Sequence, residues 1–141
     1  MKVAGALVIA LTLSPLKADM FKDVEYLHTV NGKAERVRGQ LLVDATAETV
    51  AFQSKQVRLE VASQHVTNVI YEQTSKPRYA EALLLWWPLV FTKSKQHYLT
   101  LQYNDRGAGK YAIFLLHSNF REVLAATEAA LGRKVERFEE R

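Results

Sequence analysis

The sequence predicts a mostly β (α+β) domain, a curled antiparallel sheet or barrel of about seven short strands capped by one C-terminal amphipathic helix. Three observations predict it. Between residues 24 and 117 lie short strand-like runs, of which Thr49 to Gln53 and Val57 to Val61 alternate apolar and polar residues, the period of half-buried strands. Turn-forming clusters such as Asn31-Gly32, Ser54-Lys55-Gln56 and Asn104 to Gly109 separate those runs. From Asn119 onward the apolar period lengthens to that of a helix.

Val24 to Val30 reads as the first strand and Asn31-Gly32 as a tight hairpin turn, because both residues tolerate positive φ. Arg36 to Val43 returns as the second strand, and Asp44 to Glu48 is a polar connection. Thr49 to Gln53 and Val57 to Val61 pair about the next turn, and Val66 to Tyr71 supplies a fifth strand. His97 to Tyr103 alternates strictly, with Leu99 and Leu101 on one face beside His97 and Tyr103. After a turn over Asn104 to Gly109, Lys110 to His117 is the last strand. The helix covers residues 119–131: Asn119 and Glu122 have the spacing of a capping box, and Phe120, Val123, Leu124, Thr127 and Leu131 form its apolar stripe. Gly132 is the expected stop. Residues 133–141 form a charged tail with Val135 and Phe138 as its anchors, expected to fray at its end.

Glu81 to Thr92 is the most apolar run after the N-terminus and holds both tryptophans. Leaving its large side chains in water would forgo about 12 kcal/mol, comparable to the net stability of a whole domain. The run is shorter than the roughly 20 residues of a spanning helix, and Pro88 would break a helix from inside. In a strand, Leu83, Leu85 and Trp87 would share one face and Leu84 and Trp86 the other, with Pro88 at an edge, bulge or turn. Lys76 and Arg78 precede the run, and Lys93 and Lys95 follow it. Two readings stand: a strand buried within the domain, or an apolar tip in a basic collar that docks on a membrane or a partner.

Met1-Lys2, the uncharged stretch Val3 to Leu13 and the break at Ser14-Pro15 follow the order of a secretory leader. Cleavage is expected near Ala18, so residues 1–18 read as a signal peptide and the protein as exported, periplasmic or secreted; the alternative is an uncleaved tether. The formal net charge is +4. Lys2 and Lys17 account for half of it, leaving +2 for residues 19–141, with no Arg/Lys block of the kind that binds nucleic acid. There is no cysteine, which excludes disulfides, thiolate metal sites and a cysteine nucleophile. Residues 19–132 suffice for one domain with its own core.

Catalytic motifs are lacking. His28, His65, His97 and His117 fall in separate segments without the local spacing of a metal site. His97 and His117 lie on neighbouring predicted strands and are the candidates for a dispersed catalytic or metal-binding pair. Asp105 to Lys110 lacks the glycine spacing and the Ser/Thr of a phosphate loop and reads as a hairpin turn. No Gly-x-Ser-x-Gly elbow is present.

Gly39 to Val43, Val50-Ala51-Phe52, Leu59 to Val69, Tyr98 to Tyr103 and Ala112 to Leu116 running into the helix together resemble the pleckstrin-homology-like superfold, in its GRAM and bacterial PH-type branch. The resemblance rests on hydrophobic patterns and implies a curled sheet with a helix over one end. Domains of this kind bind phosphoinositides, other lipids or peptides, so the fold leaves the ligand open. The first hairpin, Val30 to Lys33, offers one lysine where a phosphoinositide site has a basic cluster. The function expected from residues and resemblance together is a non-catalytic binding module of the cell envelope or exterior. It would meet an anionic membrane surface or an envelope protein through Leu84, Trp86 and Trp87, with Lys76, Arg78, Lys93 and Lys95 at the headgroups. No cofactor is expected. A small exported enzyme or metal-binding protein using His97 and His117, and a structural or assembly subunit, are the alternatives.

Overall fold

The computed structural model of the chain describes residues 18–30, 33–75, 77–78 and 94–139. Alternation of apolar and polar side chains produces strands β1 (Ala18–Val30), β2 (Lys33–Asp44), β3 (Thr49–Gln53) and β4 (Arg58–Ala62). A 3-10 turn, Ser63–His65, leads to β5 (Val66–Thr74), β6 (Gln96–Asp105), β7 (Ala108–Leu116), helix α1 (Phe120–Leu131) and β8 (Glu136–Glu139). All eight strands belong to one sheet in the order β4-β3-β2-β1-β7-β6-β5-β8. The sheet is curled and open, since β4 and β8 stand at its two ends.

The curl is visible in the rings. Phe52 on β3 and Phe114 on β7 are separated by two intervening strands, yet their rings lie 5.9 Å apart with Tyr26 against both. Two features bend the sheet to that extent. In β1 the register shifts between Phe21 and Val24, where Asp23 adopts φ 61°, and a bulge of this kind sharpens local twist. Opposite Val24 stands Gly39, where an added Cβ would lie 2.5 Å from the Gln53 carbonyl oxygen and 2.7 Å from Phe52 Cζ. A glycine there lets β2 close on β3.

The concave face holds the main core. Leu41, Val43, Phe52, Leu99, Phe114 and Leu116 pack with Val123, Leu124, Ala130 and Leu131 of α1. Burying each large side chain stabilises the fold by roughly 1.5–3 kcal/mol. The expected stripe of the helix and its stop hold: Gly132 takes the left-handed conformation, φ 64°, and its N–H donates to the Glu128 carbonyl. The expected capping box does not form. Asn119 has φ −90° and ψ 20°, away from the extended shape that aims a cap side chain at the first turn, and its Oδ1 is buried without a partner. Backbone bonds serve instead, Phe120 N–H to the His117 carbonyl at 3.0 Å and Val123 N–H to that of Asn119 at 3.1 Å.

The mostly β class with one helix over the curled sheet holds, and one detail is corrected: among the described residues the charged tail adds an eighth, edge strand. β8 pairs parallel with β5, Ile70 opposite Glu136 through Gln73 opposite Glu139. The exposed edge of β5 supplies unmet backbone donors and acceptors, and the tail satisfies them. Its approach is set by Val135, buried, whose N–H donates to the Glu128 carboxylate at 2.8 Å, and by Arg133, which donates to the Thr67 carbonyl. The half-burial expected of Thr49–Gln53 and Val57–Val61 holds in β3 and β4, whereas the central strands are buried on both faces. On the convex face Leu27, Ile70, Tyr98, Thr100, Ile113 and Leu115 are all buried, outside the helix-side cluster.

The turns are those the residues require. Arg106-Gly107, φ 55° and 85°, connects β6 and β7 as a two-residue turn, and Asp44 caps the β2–β3 connection by accepting from the Thr46 and Ala47 amides. Val30 pairs with Lys33, and the expected Asn31-Gly32 turn lies outside the described residues. So do residues 1–17; Ala18, the expected last residue of the leader, opens β1 opposite Asp44.

Candidate functional site

Strand parity sorts the polar residues of the central strands into two clusters. His97 stands opposite Leu116 in the β6–β7 ladder, so His117 is one step further and on the other face. The sequence-predicted pair is therefore divided between two environments.

On the convex side, Glu25 is a buried carboxylate from β1. Arg36 of β2 donates through Nε to its Oε1 at 2.9 Å, and His117 donates through Nε2 to its Oε2 at 2.9 Å. Burial pushes the Glu25 carboxyl up, and the hydrogen bonds from Arg36 and His117 outweigh it, holding the group below the usual carboxylate range. Both oxygens of this carboxylate accept a hydrogen bond, which makes the cluster a structural tie across β2, β1 and the end of β7.

On the concave side the start of α1 meets β5, β6 and β8. The Phe120 ring lies flat on the His97 imidazole, centroids 3.8 Å apart and 9° from parallel, and is parallel to Tyr71 at 5.7 Å. Tyr71 Oη and His97 Nδ1 are 2.6 Å apart. Burial, with Arg121 and His117 nearby, holds the imidazole below its usual range. Above this aromatic floor opens a cleft of about 660 Å³ lined by Tyr71, Gln73, His97, Phe120, Arg121 and Arg137. Arg121 Cζ sits 4.7 Å from the Phe120 centroid and Arg137 Cζ 6.0 Å from that of Tyr71. Among the described residues neither guanidinium has a carboxylate partner, and the described lining residues include no acid. The cleft is a basic recess with a flat aromatic base, a form suited to binding.

Of the residues singled out for docking, Lys76, Leu84, Trp86, Trp87 and Lys93 lie outside the described residues. Lys95 is exposed just before β6. Arg78 has a defined place: its amide and Nε both donate to the buried Glu72 carboxylate, Nε at 3.3 Å, and its guanidinium lies 4.0 Å over the Phe138 ring of β8. Thr74 at the end of β5 pairs with Gln96 at the start of β6, so residues 75–95 leave and re-enter the sheet at one point. His28 stacks on Tyr26 with its Nε2 3.3 Å from the Glu35 carboxylate, and His65 is exposed in the 3-10 turn. No group of three or more metal-ligating side chains exists among the described residues, and no helix there is long and apolar enough to cross a membrane.

Arg121 and Arg137 escaped the sequence reading. For Arg121 a signal was present: no acid follows it at three or four residues, where a helical arginine would find an ion-pair partner. Arg137 stood in a segment read as a charged tail.

No family model matches the chain, and no curated protein matches it. Among solved structures, one described as a synaptonemal complex protein is similar over 84% of this chain and 29% of its own, with a TM-score of 0.51 and 11% identity. The hSac2 domain from human phosphoinositide phosphatase Sac2 is similar over 100% of this chain and 92% of its own, with a TM-score of 0.46 and 15% identity. The chain spans less than a third of the first structure. At 11% identity the likeness to the first structure concerns the fold alone.

Proposed function

We propose that the protein is a non-catalytic binding module of the pleckstrin-homology-like type, close to the GRAM and bacterial PH branch, acting at the cell envelope or exterior and docking on an anionic membrane surface through residues 81–92. One observation carries the reading. Thr74 and Gln96 are paired, so the stretch holding both tryptophans is an excursion from a single point at the end of the β5–β6 hairpin. An apolar excursion with tryptophans suits the interfacial depth of a bilayer, and exposed Lys95 at its base suits the headgroups. The helix closing one side of the curled sheet supports the superfold assignment.

A second reading makes the same stretch the domain's own cover for its convex face, and the burial of Leu27, Ile70, Tyr98, Ile113 and Leu115 favours it. Tryptophan fluorescence separates the two, because both indoles fall in the disputed run. Red-shifted, quencher-accessible emission that moves blue on adding phosphatidylglycerol vesicles, and reverts in high salt, supports docking. Blue emission indifferent to vesicles and quencher overturns it in favour of the cover.

A further inference from the structure

We infer that the cleft between α1, β5 and β8 is a binding site for a phosphate group, separate from residues 81–92 and independent of how that stretch is used.

The site is assembled from three elements brought together by the fold. Arg121 comes from the first turn of the helix, Arg137 from the parallel edge strand, and Gln73 from β5 between them. Guanidinium forks recognise oxyanions by paired N–H donors. Two forks lining one recess, with the Gln73 amide beside them, offer more donors than a planar carboxylate has oxygens to accept. A tetrahedral phosphate, with three or four oxygens and up to two charges, matches that supply.

The surroundings keep the cations available. Arg36, Arg78 and Lys110 each hold a carboxylate of the chain, Glu25, Glu72 and Asp105. Arg121 and Arg137 rest on ring faces, and an arginine stacked on an aromatic ring keeps its N–H edges free for a ligand. Burial first, and then the positive charge of nearby Arg121, lower the basicity of His97. The parallel rings of Phe120, His97 and Tyr71 make a rigid, flat base, and a recess of about 660 Å³ exceeds one phosphate, leaving room for the group that carries it.

Titration of the ¹⁵N-labelled full chain with glycerol 3-phosphate at constant ionic strength, followed by the arginine Nε–H and His97 ring signals, tests the site. Saturable shifts of Arg121, Arg137 and His97 are expected, with glycerol inert and sodium chloride giving no saturation. Arg121→Gln and Arg137→Gln, both at exposed positions, should each weaken binding about tenfold; Arg58→Gln on β4, which removes the same charge at the opposite sheet edge, should leave it unchanged. Shifts that fail to saturate, or a loss equal in all three variants, overturn the proposal. Competition identifies the source: phosphatidylcholine vesicles doped with phosphatidic acid displace glycerol 3-phosphate if the phosphate belongs to a lipid headgroup, and leave it bound if the ligand is a free phosphate ester. Because the readout sits on the cleft residues, its result is distinct from that of the tryptophan experiment.

Discussion

His97 and His117 begin as near neighbours on adjacent strands and end in opposite chemical settings. His117 meets a carboxylate, and with Arg36 it closes a tie in which Glu25 is matched by two donors. His97 meets two rings and a hydroxyl, with arginines around it and no acid among the described residues lining its cleft. The difference teaches where this fold keeps its options. The carboxylate of the convex cluster is paired within the fold, whereas the arginines of the concave cleft have no carboxylate partner among the described residues.

The comparison is most sharply broken on the paired side. Glu25→Gln leaves Arg36 and His117 facing a neutral amide, and thermodynamic stability in urea should fall by about 2–3 kcal/mol, the lower part of the range for a broken buried pair because both partners are partly exposed. Phe120→Ala on the other side removes a half-buried ring from the His97 stack and should cost about 1–2 kcal/mol in the same measurement. It should also raise the His97 pKa, read by ring NMR, since exposure relieves the burial that depresses it. Tyr71→Phe deletes one hydroxyl hydrogen bond and should cost about 1 kcal/mol.

The smallest effect is in pH. Both His97 and Glu25 have folded-state values below their ordinary ones, 6.5 and 4.5, so the unfolded chain binds protons more readily in each case. Their contributions are present above those ordinary values and are lost as pH falls through the folded ones. Urea denaturation from pH 7 down to about 2 should show stability declining in two stages. His97→Gln should flatten the stage that begins below 6.5 and Glu25→Gln the one below 4.5; a decline unchanged by either substitution would contradict the two assignments.

By itself the sequence determined the elements that depend on neighbours along the chain. Alternation placed the strands because a strand's faces repeat every second residue, Gly107 and Gly132 took positive φ where only glycine does so without strain, and the Val123–Leu124–Thr127–Leu131 stripe specified the face of the helix. Local signals also misled: Asn119 and Glu122 have capping spacing, yet packing turned Asn119 from the geometry a cap requires. What only the tertiary structure decided is which residues meet. Glu25 and His117 stand near opposite ends of the chain, and the tie between them follows from register, Glu25 opposite Leu115. The cleft needs the tail to become β8, and no periodicity in Glu136–Glu139 announces that; the unmet hydrogen bonds of the β5 edge recruit it, bringing Arg137 opposite Tyr71. Backbone bonding demand and strand parity act between distant segments, and that is why the fold was legible in the residues and the site was not.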